Sequence, residues 1–265
     1  MARTIQQLFD LSGKTALITG SSRGLGLQMA HALGEAGARL MLCARQADEL
    51  EAACAELQAA GLDARWVAAD CAVQADLQKL VSETLQRMGD VDILVNNAGA
   101  TWGAPAQEHP LEAWDKLMDL NVRGIFLLCQ LIGQQSMIAR GGRIINVASI
   151  AGLGGNPPGM ASIAYNTSKG ALINFTRTLA CEWGRYSINV NAICPGFFPS
   201  KMTAGTLAVL GEERLAASAP LRRLGDDEDL KGVTVLLASD AGKHITGQCL
   251  VVDGGTSAYM RGSAA

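Results

Sequence analysis

Lys14-Thr15-Ala16-Leu17-Ile18-Thr19-Gly20-Ser21-Ser22-Arg23-Gly24-Leu25-Gly26 is the stretch that decides the fold. Lys14–Thr19 is a short apolar run that reads as a buried strand, and Gly24–Ala36 carries apolar residues at helical spacing. Between them the glycines permit a tight turn, let backbone approach a pyrophosphate, and let the helix pack close to the sheet. The helix N-terminus adds free N–H groups and the positive end of its dipole. A glycine-rich turn alone equally fits an ordinary helix entry. Its place in the first strand-to-helix connection of a βαβ unit favours the phosphate reading.

The same alternation continues outward along the chain. Arg39–Cys43, Ala64–Ala68, Ile93–Val95, Gly142–Val147, Asn189–Ile193 and Leu250–Val252 read as further buried strands. Helical patterns cover Asp48–Ala60, Asp76–Arg87, Pro110–Met137, Ala164–Trp183 and Asp226–Ala238. Strand and helix in strict alternation, with strands apolar on both faces, imply an α/β protein with a parallel sheet covered on both sides. No repeat or linker interrupts the pattern, so residues 1–265 are expected to form one domain. Ligands of such sheets bind beyond the carboxyl ends of the strands. Reading those ends gives Ala44-Arg45, Asp70-Cys71, Asn96-Asn97-Ala98-Gly99, Ala148-Ser149 and Pro195-Gly196 after the first loop.

Composition excludes several classes of partner. The 22 Lys plus Arg against 25 Asp plus Glu give a net charge of -3, with no basic run to hold nucleic acid. Apolar stretches such as Ile144–Ile150 fall far short of the roughly 20 residues of a spanning helix. Met1–Asp10 lacks the apolar core of a secretory signal, so a cytoplasmic location is expected. The 7 cysteines are scattered and odd in number, which suits reduced core thiols rather than a disulfide framework. The 3 histidines lie far apart with no metal-ligand spacing, so no metal is expected. Glycine, at 30 residues, is the unusual component.

Arg45 ends the second strand about 20 residues beyond the glycines, where a protein preferring NAD usually places an acid for the ribose hydroxyls. An arginine suits the 2′-phosphate of NADP instead, and Arg23 in the glycine loop is placed to reach the same group. Two arginines and no acid favour NADP(H). The alternative for Arg45 is a solvated loop residue.

Tyr165-Asn166-Thr167-Ser168-Lys169 lies within a helical pattern, and its i, i+4 pair Tyr165 and Lys169 shares one helix face. Ser149 closes the strand sixteen residues earlier. Together with Thr19–Gly26, Asn96–Gly99, Asn121, Pro195-Gly196 and Asp253-Gly254-Gly255, these motifs make the chain resemble the short-chain dehydrogenase/reductase family in its compact form, from about Leu11 to Gly255. The resemblance implies a doubly wound, Rossmann-like sheet of about seven strands. It implies that Tyr165 exchanges a proton with the substrate oxygen, that Ser149 hydrogen-bonds that oxygen, and that Lys169 holds the nicotinamide ribose and lowers the tyrosine pKa. Asn121 orients a water linking Lys169 to solvent in the family pattern; a locally bonded helix residue is its other reading.

For the cofactor, the resemblance implies contacts from Gly20, Ser22, Arg23, Gly24, Leu25, Gly26, Arg45, Asp70, Cys71, Asn97, Ala98, Gly99, Tyr165, Lys169, Pro195, Gly196, Phe198 and Ser200. Asp70 also fits a helix cap. Ser200 stands where the family often has threonine, and it keeps the hydroxyl. The segment near 197–224 looks like a mobile substrate cover. Ser149, Trp102, Gly155, Asn156, Phe197 and Met202 are the expected substrate contacts, with Phe198 and the loop Gly154–Gly159 nearby. Their apolar character suits 3-oxoacyl thioesters or hydrophobic ketones, whereas Asn156 and Ser162 suit the hydroxyls of a sugar acid or polyol. Similar members are named 3-oxoacyl-carrier-protein reductases or gluconate 5-dehydrogenases. Arg123, Lys201, Arg222 and Arg223 are candidates to meet an acidic carrier, or are solvated surface charges. A silent cofactor-binding sensor would have lost Ser149, Tyr165 or Lys169, and all three are present. The family further implies a homotetramer built on the helices around Val122 and Thr176.

Overall fold

The computed structural model describes residues 2–156, 159–205, 207 and 211–258. Pro157 and Pro158 of the expected substrate loop, and residues 206 and 208–210 of the expected cover, lie outside them. Seven parallel strands form one sheet: β1 (Thr15–Thr19), β2 (Arg39–Ala44), β3 (Ala64–Ala68), β4 (Ile93–Asn96), β5 (Gly142–Val147), β6 (Ile188–Pro195) and β7 (Cys249–Val252), in the order β3-β2-β1-β4-β5-β6-β7. Each strand lies within two residues of its expected bounds.

Alternate side chains of the strands feed two cores. Leu17, Met41, Leu94 and Ile144 face one side, under Leu77 and Leu80 of α4 (Gln74–Met88), Ile125 and Leu128 of α6 (Gly124–Ile132) and Leu172 of α7 (Ile163–Trp183). Ile18, Leu42, Val95 and Ile145 face the other, under Met29 and Leu33 of α2 (Gly24–Glu35), Leu50 and Leu57 of α3 (Ala47–Ala59) and Leu237 of α9 (Lys231–Ala238). Burial on both faces explains the apolar runs of the inner strands, whereas β3 and β7, at the two edges and expected to be buried, are partly exposed. The order reverses direction at β1, between β2 and β4, and opens a crevice at the carboxyl ends of β1 and β4.

The helices depart from expectation in four places. A short α1 (Ile5–Phe9) was not foreseen; its capping box pairs Thr4 with Gln7. The single helix expected over Pro110–Met137 is instead α5 (Leu111–Met118), a π-turn at Asp119–Arg123, α6, a second π-turn at Gly133–Met137 and a last turn at Ile138–Arg140. Gly124 and Gly133 lie so close to the Cys71 carbonyl and the Trp183 ring that a Cβ at either would collide, so both helical joints are pressed onto neighbours. The expected helix from Asp226 begins only at Lys231, because Asp229 is held by Arg223 and accepts from the Asp226 N–H. An additional short helix, α8 (Glu212–Ser218), lies within the cover segment.

Candidate active site

The glycine loop is built by close approach. Gly20 and Gly24 have φ of +64° and +56°, backbone that favours glycine. A Cβ on Gly26 would strike the Gly20 carbonyl oxygen, and one on Gly20 would stand 2.9 Å from the Ala98 Cα. Asn97 fixes the two turns together: its side-chain amide donates to the Thr19 and Gly20 carbonyls at 3.0 and 2.9 Å. Thr19 Oγ1 in turn accepts from the backbone N–H groups of Asn97 and Ala98. The α2 N-cap, Arg23, makes no side-chain cap bond, which leaves the first-turn N–H groups without that partner. These features form a cradle that fits a pyrophosphate.

The two arginines differ. Arg45 is exposed and has no carboxylate partner among the described residues. Arg23 is ion-paired with Glu49, in the first turn of α3, and Ser22 Oγ donates to the same carboxylate at 3.2 Å. The end of β2 carries Arg45 and no acid, as expected; a carboxylate nevertheless arrives from the next helix, of which the end of β2 gives no sign. Asp70 accepts from the Ala72 N–H at 3.0 Å and closes a tight turn, while Cys71 is buried beside it.

The residues after β5 and within α7 come together at the carboxyl edge. Ser149 Oγ accepts from the Ala151 N–H at 3.1 Å, starting the short turn Ile150–Gly152. That turn rests directly on α7, where a Cβ on Gly152 would stand 2.6 Å from the Lys169 carbonyl carbon. Withdrawal from water raises the Tyr165 pKa above its ordinary value, and the neighbouring Ser149 side chain opposes that rise. Lys169, 4% exposed, donates to the Val147 carbonyl at 2.7 Å, with Nζ 5.6 Å from the Tyr165 ring centroid. Burial brings the Lys169 pKa down to about 8. Without a cofactor, burial thus dominates both groups, and the lysine is not the main influence on the tyrosine.

Asn121 falls inside the first π-turn and is fully buried. Its amide bridges the Ala100 backbone in both directions at 3.0 Å and donates to Ser168 Oγ at 3.0 Å. Ser168 Oγ donates to the Tyr165 carbonyl at 2.8 Å. Gly99 leaves space here, since a Cβ would be 3.3 Å from Asn121 Oδ1 and 3.6 Å from Lys169 Nζ. Ser168 and Gly152 were not singled out from the sequence. A serine beside Lys169 and a glycine after a strand end carry no signal until the helix is packed.

The expected substrate residues divide into groups. Gly155 and Asn156 line a cavity of about 270 Å³ with Met160, Ser162 and Asn166, and the Asn156 amide bonds Ser162 Oγ at 2.7 Å. Phe197 and Phe198 instead line a cavity of about 660 Å³ shared with Leu221, Val252 and Gly254. Phe198 is 4% exposed, and its ring is packed on Gly225. Trp102 packs edge-on against His109, and Met202 is exposed; neither lines these two cavities. Ser200 lies over the glycine loop, its Cβ 4.0 Å from a Cβ placed on Gly24, and bonds Thr203 at 3.0 Å. Gly196 sits against Asp253 and cannot carry a side chain without displacing it. Of the carrier-surface candidates, Arg123 is paired with Asp119 and Arg223 with Asp226 and Asp229.

This fold, with a phosphate cradle at the switch point and a Ser–Tyr–Lys cluster beside it, defines a dinucleotide-dependent oxidoreductase. A family model described as short chain dehydrogenase matches residues 14–208. The chain is 39% identical over 254 residues to a rhamnolipids biosynthesis 3-oxoacyl-[acyl-carrier-protein] reductase of Pseudomonas aeruginosa, covering 93% of this chain and 97% of that one. It is also 39% identical over 257 residues to a gluconate 5-dehydrogenase of Gluconobacter oxydans, covering 96% and 98%. A solved gluconate 5-dehydrogenase from Burkholderia cenocepacia, in complex with NADP and tartrate, superposes with a TM-score of 0.91 at 33% identity, covering 97% of this chain and all of that one. The chain belongs to the short-chain dehydrogenase family. Among the described residues, no helix is long and apolar enough to cross a membrane.

Proposed function

We propose that the chain is an NADPH-dependent carbonyl reductase, working reversibly as an alcohol dehydrogenase. The observation that carries this reading is the gathering of Ser149, Tyr165 and Lys169 beside the glycine cradle at the carboxyl edge of one sheet. The cradle of Gly20, Gly24 and Gly26 receives the pyrophosphate, Arg45 the 2′-phosphate, and Asn97, Ala98, Gly99, Pro195, Gly196 and Ser200 flank the nicotinamide half. Bound NADPH supplies the hydride.

Ser149 hydrogen-bonds the substrate carbonyl oxygen and stabilises its developing charge. Tyr165, kept neutral by its raised pKa, donates its proton to that oxygen as charge builds there. Lys169 faces the tyrosine ring and stabilises the phenolate left behind. Asn121, through the water assigned to it in the family, returns a proton toward Lys169. One dinucleotide-binding and catalytic domain, covered by the segment near 197–224, performs the reaction in the cytoplasm. Phe126, 48% exposed and edge-on to Phe175, supports a homotetramer built on α6 and α7.

The preferred substrate is a 3-oxoacyl thioester or hydrophobic ketone, supported by the name of the Pseudomonas relative and the apolar linings. A sugar acid is the second reading, favoured by the Asn156, Ser162 and Asn166 polar groups on the smaller cavity and by the gluconate dehydrogenase relative. Ketones, 3-oxoacyl thioesters and keto-sugars scored by NADPH oxidation separate the two. Tyr165→Phe is expected to lower turnover by about 10²- to 10⁴-fold with NADPH binding retained. Near-wild-type turnover by that variant refutes the proposed acid.

A further inference from the structure

The glycine loop and the first turn of α3 are joined by a charged contact that the cofactor reading does not require. Glu49 pairs with Arg23 through one carboxylate oxygen and accepts from Ser22 Oγ through the other. Both partners lie more than twenty-five residues back in the chain. Arg45, four residues before Glu49, has no carboxylate partner among the described residues. Of these two arginines, only Arg23 has a carboxylate partner among the described residues.

We propose that Glu49 is a specificity-determining residue that restrains the preference for NADPH over NADH. The proposal rests on the NADP(H) reading. A phosphomonoester brings a charge of about −1.5 to −2 at neutral pH, and at Arg23 it meets a carboxylate of the same sign. A ribose without that phosphate is neutral and offers hydroxyl donors, which a carboxylate accepts. Glu49 therefore opposes the phosphorylated cofactor and not the other. Its position in the first turn of α3 also suits the helix dipole, but Asp48 occupies the same turn and makes no such reach. With side chains 50% and 31% exposed, the Arg23–Glu49 pair contributes little to folding, so a neutral substitution leaves the protein intact.

The test measures binding of NADPH, NADH, 2′,5′-ADP and 5′-AMP to the full chain and to Glu49→Gln. The variant should bind NADPH and 2′,5′-ADP about tenfold more tightly at low salt, with NADH and 5′-AMP unaltered. The gain should shrink toward 1 M salt as the charges are screened. Equal changes for phosphorylated and unphosphorylated ligands, or no tightening of NADPH, overturn the proposal. Arg45→Ala separates this from the cofactor reading. If the wild type prefers NADPH, Arg45→Ala weakens it and Glu49→Gln is silent, only the role of Glu49 falls. If the wild type binds NADH more tightly and Arg45→Ala alters neither cofactor, the NADP(H) reading falls, and the proposal with it.

Discussion

Replacing Lys169 by methionine should make the protein inactive and, at neutral pH, relieve it of a buried charge. The side chain is 4% exposed, and its ammonium makes one hydrogen bond, to the Val147 carbonyl. Burial lowers its pKa from 10.5 to about 8. Below pH 8 the lysine is protonated in both folded and unfolded chains, so the full cost of burying the charge stands. Between pH 8 and 10.5 the unfolded chain keeps the proton that the folded chain has shed, and the contribution of this group to stability rises with pH. The displacement corresponds to about 3 kcal/mol. Methionine has similar reach and no charge, so Lys169→Met lacks this pH dependence. Loss of the Val147 bond shifts the variant's stability by an amount independent of pH, which drops out of the comparison. The stability of the variant minus that of the wild type should therefore fall by about 3 kcal/mol from pH 7 to pH 10.5. Denaturant unfolding of both proteins at one fixed concentration measures it. A difference that stays constant over that range, or grows, refutes the argument that Lys169 is a charge held out of water.

Two further substitutions probe the cradle and the support of the tyrosine. Gly26→Ala puts a Cβ onto the Gly20 carbonyl and the Asn97 amide; it should abolish cofactor binding and cost about 1–3 kcal/mol of stability. Gly154→Ala, with nothing within 4 Å of its Cβ, is the control and should change neither when both variants are assayed by NADPH titration and unfolding. Ser168→Ala removes the hydroxyl shared by Asn121 and the Tyr165 carbonyl, and should lower kcat about tenfold while the KM for cofactor holds. A change confined to KM in steady-state kinetics would show that Ser168 does not position the catalytic helix.

The sheet was legible because parallel strands buried on both sides must be apolar throughout. Thr15–Thr19, all five residues buried, and Ile93–Asn96 show that pattern without a partner being known. Local chemistry also marked the glycine loop, since the positive φ at Gly20 and Gly24 is a property of the turn itself. The π-turns were not legible. An apolar period near 3.6 is shared by a continuous helix and by one with an extra residue in a turn, and what fixes these joints is distant: the Cys71 carbonyl against Gly124 and the Trp183 ring against Gly133. The late start of α9 has a similar origin, because Asp229 is drawn to Arg223 in the preceding loop.

The site divides along the same line. Tyr165 and Lys169 were readable because a helix fixes the relation of positions i and i+4, and Ser149 because a parallel strand delivers the residues just after it to the carboxyl edge. Ser168 was not, since its value lies in meeting Asn121, 47 residues away in sequence. Glu49 was missed for a sharper reason. The rule relating the residue after β2 to cofactor choice counts charge along the chain, whereas a ligand meets charge in space. Arg23 and Arg45 supply two positive charges on the sequence, but the packing of α3 against the glycine loop sets Glu49 against one of them. Two arginines therefore overstate the positive charge available to a phosphate, and the difference is carried by one carboxylate on a helix that contributes no residue to the cradle itself.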